Sequence, residues 1–311
     1  MAKILITESV HPIGPELLTA AGHTVVYADR DMDIIRREIV DADAVLVRII
    51  ELPGSLLATA KNLKLVSKHG VGYDNIDLDY CKSHGIAVTI TPNANSLSVA
   101  EHAFTLMLTL AKNIIPVSNE YRTVGFAAKN HAPGIEMTGK TLGLIGMGRI
   151  GKHILHMCRD GLDMHVIVYD PYISEVPEGV EKVDDLSELL RRADVVTLHC
   201  LLTDETRKLI DRERLALMKP TALLINCARG PIVDEAALIE ALENGRLAGA
   251  GLDVTDPEPV APDSPLFKLP NVIVTPHYAP TTVESATRVS KIAAENINAV
   301  LAGQEPVGRI V

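Results

Sequence analysis

Short apolar runs alternate with helical stretches along the first part of the chain. "KILIT", "HTVVYA", "DAVLVR", "LKLVSKHG" and "GIAVTI" read as strands, and "PELLTAAG", "MDIIRREIV" and "DLDYCKSHG" as the helices between them. Regular alternation of this kind predicts a parallel sheet with crossover helices. At Pro92 the rhythm breaks. "PNANS" is turn chemistry, with Ser96 as an N-cap. Next comes a long apolar helix, "SLSVAEHAFTLMLTLAKN", close to the ~20 residues that a membrane span requires. Glu101, His102 and Lys112 inside it argue instead for a buried or interface helix. A polar, irregular segment is expected from about Ile115 to Gly139.

A second alternating series follows: "TLGLIGMGRIG", "HVIVYDP", "ADVVTLHC", "TALLINCARG", "AGAGLDV" and "NVIVTPH", then a closing helix, "TVESATRVSKIAAENINAVLAG". The pattern predicts an α/β chain with two Rossmann-like parallel-sheet domains. A nucleotide domain, 97–281, is inserted in a flavodoxin-like substrate domain made of 1–96 and 282–311. The 311 residues are enough for both cores.

Composition narrows the function. Thirty basic against forty acidic residues give a net charge of −10, and no basic run stands out, which argues against nucleic acid as a partner. A site for an anion would have to be local. The four cysteines, Cys81, Cys158, Cys200 and Cys227, form no CxxC pair. With the ordinary start "MAKILITESV" they read as reduced thiols of a cytoplasmic protein that does not enter a membrane. The eleven histidines form no HExxH or paired pattern, so no metal is implied.

"GLIGMGRIG" supplies Gly146, Gly148, Arg149, Ile150 and Gly151. A GxGxxG alone is weak, but here the apolar strand "TLGLI" precedes it and the helical "IGKHILHMC" follows. A second strand ends in Asp170, nineteen residues beyond Gly151, the distance expected for an acid that accepts from the adenosine ribose. Gly146 suits the tight turn, Gly148 the close approach of a pyrophosphate, and Gly151 the packing of helix on strand. The helix N-terminus offers N–H groups and positive dipole to phosphate. Asp170 would repel the extra phosphate of NADP, so NAD is the expected cofactor.

Three strands then end in chemistry. Arg229 follows one, Asp253 ends the next with Glu258 in a proline-braced loop behind it, and His277 lies just past a third. Open α/β sheets bind ligands at the C-terminal ends of their strands. An arginine, a carboxylate and a histidine beside a dinucleotide suit hydride transfer to a 2-oxo acid. The guanidinium orients carboxylate and carbonyl, the imidazole supplies the proton, and the carboxylate holds the ring. Taken singly, His277 reads as a structural histidine, Arg229 as a domain-interface ion pair and Glu258 as a solvated loop acid.

The sequence resembles the D-2-hydroxyacid dehydrogenase family across nearly its whole length, and its D-3-phosphoglycerate dehydrogenases most of all. The match is carried by "GVGYDNID" (70–77), "TPNANSLSVAE" (91–101), "GKTLGLIGMGRIG" (139–151), "YDP" (169–171), "NCARGPIVDEAAL" (226–238), "GLDV" with "PEP" (251–259) and "TPH" (275–277). The resemblance implies that Arg229 orients substrate, Glu258 pairs with the histidine and His277 donates the proton. It further implies that Asp253 holds the nicotinamide carboxamide and that Arg149 and Ile150 face the pyrophosphate. Thr91, Cys200, Cys227 and Ala228 fall at cofactor-contacting positions, and the amides around Val71 and Gly72 at the grip on the substrate carboxylate. The long helix and the 115–139 segment match the family's dimer-forming region, so a homodimer is expected.

The chain departs from the family pattern in places. Tyr278-Ala279-Pro280 follows His277 where Ile or Leu and Gly are usual, which gives Tyr278 a place against the substrate. Phe126 stands where tryptophan is common, and no serine-sensing C-terminal extension like that of longer phosphoglycerate dehydrogenases is expected. Arg48 occupies the place of a family arginine that meets the phosphate of phosphoglycerate, although Ile49 and Ile50 replace the usual small polar residues. With Lys68 and His69 it suggests three positive groups and a second anion on the substrate: phosphate, sulfonate or carboxylate. 3-Phosphoglycerate is the first expectation, with glyoxylate/hydroxypyruvate reductase or sulfolactate dehydrogenase as alternatives. An NADH-sensing corepressor or scaffold is the non-enzyme alternative.

Overall fold

The computed structural model describes residues 1–311. Its contacts divide the chain into two compact units, Met1–Asn95 with Pro280–Val311, and Ser96–Ala279.

The first unit holds five parallel strands, β1 (Lys3–Ile6), β2 (Thr24–Tyr27), β3 (Ala44–Val47), β4 (Leu65–Lys68) and β5 (Ala87–Thr89), in the order β2-β1-β3-β4-β5. That is the flavodoxin-type order. Successive residues serve opposite faces: Leu5, Val45, Val47, Val66 and Val88 join one buried cluster, and Ile4, Ile6, Ala44, Leu46 and Leu65 the other. The C-terminal helix Val283–Leu301 returns to cover the second face with Ala293, Ala294 and Ile297. Ser67 Oγ in β4 donates to the Ala293 carbonyl at 3.0 Å, which locks that helix to the sheet.

The second unit holds seven parallel strands: β6 (Thr141–Ile145), β7 (His165–Tyr169), β8 (Val180–Lys182), β9 (Val195–Leu198), β10 (Leu223–Asn226), β11 (Gly249–Leu252) and β12 (Val272–Val274). Their order is β12-β11-β10-β9-β6-β7-β8. The chain therefore builds outward from β6 to one side, returns, and builds outward from β9 to the other, leaving a switch point between β6 and β9. The helix Ser96–Ala111 lies against β10, β11 and β12. The glycines of "AGAGLDV" permit the approach: a Cβ on Gly251 would stand 3.0 Å from the Leu106 Cβ. No helix is long and apolar enough to cross a membrane.

Two features differ from the sequence reading. β8 is a three-residue edge strand carrying Glu181 and Lys182, too short and too charged to register as a periodic run. The segment expected to be irregular from Ile115 to Gly139 begins with a helix, Ile114–Val124, followed by a 3₁₀ stretch, Gly125–Asn130. Pro116 is accommodated because it falls in the first turn, where a helix does not use the missing N–H. No residue of this helix is buried.

Candidate active site

Gly146 follows β6 directly and Cys200 follows β9, so the glycine loop lies at the switch point. Gly146 has φ +90°, and a Cβ there would stand 2.7 Å from the Cys200 amide nitrogen. A Cβ on Gly151 would stand 2.3 Å from the Gly146 carbonyl oxygen, so the helix Arg149–Leu162 can start this close to the strand only with glycine at that position. Gly148 is different. Nothing lies within 4 Å of where its Cβ would be, and it is the N-cap of that helix with no capping side chain. Open space in front of helix amides without a side-chain cap is a cradle for a pyrophosphate. Arg149 and Ile150 are the first residues of that helix.

Asp170 ties the loop to β7. Its Oδ2 accepts from the Met147 amide at 2.9 Å and its Oδ1 from the Tyr172 amide at 3.0 Å. The residues present thus fit a dinucleotide. Burial pushes the Cys200 thiol up to about 11 and the Cys227 thiol well above its ordinary value, so both are neutral at physiological pH.

β10, β11 and β12 are parallel neighbours, so Arg229, Asp253 and His277 leave the same edge of the sheet. His277 Nδ1 lies 2.6 Å from Glu258 Oε1. A carboxylate at Nδ1 assigns the ring proton to that nitrogen.

The backbone at His277 is left-handed, with φ +52°, a conformation costly for a residue with a Cβ. Asp253 holds it. The His277 amide donates to the Asp253 carbonyl at 2.8 Å. The Asp253 carboxylate, 1% exposed, accepts from Thr275 Oγ1 at 2.6 Å, the Tyr278 amide at 2.7 Å and the Ala279 amide at 2.9 Å. The Thr275 hydroxyl spends its proton on Asp253, so His102 Nε2, 3.0 Å away, donates to it. The family resemblance assigns Asp253 to the nicotinamide carboxamide, whereas the structure turns both of its oxygens to the loop that carries His277. His102 and Thr275 were not anticipated as site residues. The only signal for His102 was a polar ring inside an apolar helix.

Arg229 is half-buried in the turn after β10. Asn226 shapes that turn, its Oδ1 accepting from the Ala228 amide at 3.0 Å and its Nδ2 donating to the Arg229 carbonyl at 2.9 Å. Arg229 Nη1 donates to the Ala228 carbonyl at 2.9 Å. Gly230 abuts the strand-end segment so closely that a Cβ would stand 1.9 Å from the Thr255 carbonyl oxygen. Tyr278 is exposed, and its ring meets that of His102 edge-on with centroids 6.1 Å apart.

In the first unit, Val71 and Gly72 are half-buried in the turn after β4, and the Thr91 amide and hydroxyl both donate to the Gly70 carbonyl, at 2.9 and 3.2 Å. Of the expected trio of cations, His69 is corrected here to a neutral ring. Burial and the neighbouring Arg48 charge push His69 down to about 3, so it is uncharged at neutral pH. Lys68 is buried, and its Nζ donates to Asn75 Oδ1 at 2.5 Å and to the Arg48 carbonyl. Arg48 is half-buried, with Nη1 donating to the Ser9 carbonyl at 3.0 Å.

The 48–50 segment is boxed from both sides. Asn75 Nδ2 donates to the Ile50 carbonyl at 2.7 Å. The buried Glu8 carboxylate accepts from the amides of Arg48, Ile49 and Ile50 at 2.8, 2.7 and 2.9 Å and from the Thr7 hydroxyl. Burial alone would raise the Glu8 pKa, but these hydrogen bonds outweigh it and hold the carboxyl below its ordinary value. A group with a depressed folded pKa stabilises the fold above the unfolded carboxylate pKa, and that contribution is lost as pH falls through the folded value. Glu8→Gln should therefore lower stability at neutral pH by about 1–3 kcal/mol, the cost of mispairing buried donors. Melting curves of both proteins from neutral pH downward should converge once wild-type Glu8 protonates. A constant gap across that range would show that the charge of Glu8 is immaterial.

Comparison with known proteins places the chain. Residues 104–279 match the NAD binding domain of the D-isomer specific 2-hydroxyacid dehydrogenases. The chain belongs to that family. It is 42% identical over 308 residues to D-3-phosphoglycerate dehydrogenase of Methanocaldococcus jannaschii, covering 98% of this chain and 58% of that protein. The chain thus spans little more than half the length of that relative. It is 38% identical over 319 residues to glyoxylate reductase of Thermofilum pendens, covering 98% of this chain and 93% of that one. Among solved structures, the NADPH-dependent glyoxylate/hydroxypyruvate reductase of Sinorhizobium meliloti, in complex with NADP and malonate, superposes with a TM-score of 0.90 at 28% identity. That match covers 100% of this chain and 97% of that one.

Proposed function

We propose that this protein interconverts a D-2-hydroxy acid and its 2-oxo acid with NAD as the redox partner. The observation that carries the reading is the Glu258–His277 pair at 2.6 Å, on the sheet edge that also carries Arg229 and the glycine loop. Bound NAD or NADH accepts or supplies the hydride. In the reductive direction, the oxygen of the substrate carbonyl takes a proton from His277 Nε2 while its carbon gains hydride, and the neutral ring is reprotonated from solvent. Arg229 binds the substrate carboxylate and carbonyl oxygen, drawing charge toward the oxygen. Glu258 keeps the ring oriented and balances the imidazolium before proton transfer. The oxidative direction reverses each transfer.

NAD over NADP rests on Asp170, whose negative charge would repel the extra phosphate of NADP; no arginine or lysine stands between Asp170 and Lys182 to receive one. The substrate we favour carries a second anion near Arg48, as 3-phosphoglycerate does. With His69 uncharged and Lys68 engaged in the 48–50 segment, Arg48 bears that preference. Reduction of glyoxylate or hydroxypyruvate is the second reading, favoured by the full-length likeness to a glyoxylate reductase.

One assay series tests all of this: kcat/KM with NADH and NADPH across 2-oxo acids with and without a distal anion, for wild type and Arg48→Ala. NADH should win. Arg48→Ala should lower kcat/KM for the phosphorylated substrate by roughly 10–100-fold, the worth of a charge-assisted hydrogen bond, and barely change it for glyoxylate. Equal losses on both substrates would make Arg48 structural, and a wild type faster on glyoxylate would establish the second reading.

We also propose a homodimer. The helix Ile114–Val124 and the turn after it leave Ile114, Ile115, Tyr121, Val124 and Phe126 exposed, an apolar face suited to a second copy. Sedimentation at micromolar concentration should give twice the 33.5 kDa chain mass, and a monomer would overturn the assignment.

A further inference from the structure

The Glu258–His277 pair is open to solvent, with side-chain exposures of 41% and 33%. Close packing therefore does not impose its geometry. The backbone of the segment Thr255–Pro259 must do so, yet residues 256–259 are themselves exposed. Two bonds hold the start of this segment. Thr255 Oγ1 donates to the Pro257 carbonyl at 2.9 Å, which fixes the local turn. The Asp256 amide donates to Glu235 Oε2 at 2.9 Å, which fixes the turn to another element.

Glu235 is well placed to be that anchor. It is the first residue of the helix Glu235–Glu243, whose N-cap Asp234 accepts from the Ala237 amide at 3.2 Å. The Asp234 amide in turn donates to the Ile210 carbonyl at 3.0 Å, and Ala237 and Leu238 lie in the buried core of the unit. Glu235 is thus rooted in a rigid helix start, while its carboxylate reaches a loop with little support of its own. Burial raises its pKa, consistent with a carboxylate partly withdrawn from water to make this contact. The Gly230–Thr255 approach brings the segment's backbone against the Arg229 turn, so a shift in one is felt by the other.

We propose that Glu235 is a positioning residue for proton transfer: by anchoring the Asp256 amide it sets the reach of Glu258 to His277. The proposal rests on the reading of Glu258 and His277 as the proton-transfer pair. A displacement near 1 Å in a catalytic constellation can cost on the order of 10²-fold in rate. Glu235 is one step removed from the pair, so a loss of roughly 10-fold is expected.

The test is a double-mutant cycle on kcat at saturating NADH, with NADH affinity and melting temperature measured alongside. Glu235→Ala should lower kcat about 10-fold and leave NADH affinity unchanged. Glu235→Gln, whose amide oxygen can accept the same bond, should recover most of the loss. In a Glu258→Ala background, Glu235→Ala should have almost no further effect, because the group it positions is gone. Should Glu235→Ala fail to fold, Glu235→Asp, which withdraws the acceptor by one methylene, takes its place in the cycle with the same expectation. Equal losses in both backgrounds, or no rescue by glutamine, would overturn the proposal. The underlying reading fails separately: Glu258→Ala with wild-type kcat would sink the pair itself, whereas a slow Glu258→Ala beside an unimpaired Glu235→Ala would sink only the positioning role.

Discussion

Replacing His277 with alanine is expected to lower kcat by about 10²–10⁴-fold, the range for loss of a general acid or base. NADH binding should survive, because the loop that fits the dinucleotide, Gly146 to Gly151, makes no hydrogen bond to His277. Arg229→Ala should produce a loss of similar size by another route. In its proposed role the guanidinium meets charge that grows on the carbonyl oxygen, so kcat and kcat/KM should fall together. Turnover under saturating NADH, with cofactor affinity from fluorescence, separates the cases. A His277→Ala enzyme near wild-type kcat would place the proton donor elsewhere. An Arg229→Ala enzyme with raised KM and intact kcat would reduce Arg229 to uniform substrate binding.

Both residues stand out in the sequence because each sits three positions past a strand that ends in turn chemistry. The parallel order of β10, β11 and β12 brings their C-terminal ends together. The dinucleotide loop was legible for the same reason: strand, glycines and helix are contiguous, and Asp170 ends the next strand. Contacts between distant residues were not legible. His102 and Thr275 lie 173 positions apart and meet only through the packing of a helix on the sheet. Lys68 reads as a substrate cation in the sequence because it immediately precedes the "GVGYDNID" stretch. Its place on central strand β4, with Asn75 to receive it, is a tertiary fact. The charge of His69 is hidden likewise, since the depth of its burial is invisible in "SKHG". The direction of the Asp253 carboxylate was equally hidden: spacing placed it at the strand end but could not show where its oxygens turn.

That direction has the second large consequence. His277 is held at φ +52°, a conformation that costs a non-glycine residue about 1–3 kcal/mol. The bonds that offset this cost converge on one buried carboxylate, which accepts from Thr275, Tyr278 and Ala279. In Asp253→Ala those donors lose their acceptor, at about 1–3 kcal/mol for each group left unsatisfied. The turn should then relax toward ordinary backbone angles and carry the imidazole away from Glu258. The expected result is a kcat lowered by roughly 10²-fold even at saturating NADH, together with a lower melting temperature. Asp253→Asn should fall between, since it keeps one acceptor oxygen but turns an NH₂ toward amides that also donate. The measurement that decides is kcat against cofactor affinity. A variant that binds NADH weakly yet regains wild-type kcat when saturated would return Asp253 to a cofactor role. A variant with normal NADH affinity and a persistently slow kcat would show that this carboxylate acts by holding the proton donor in a backbone conformation it would not adopt alone.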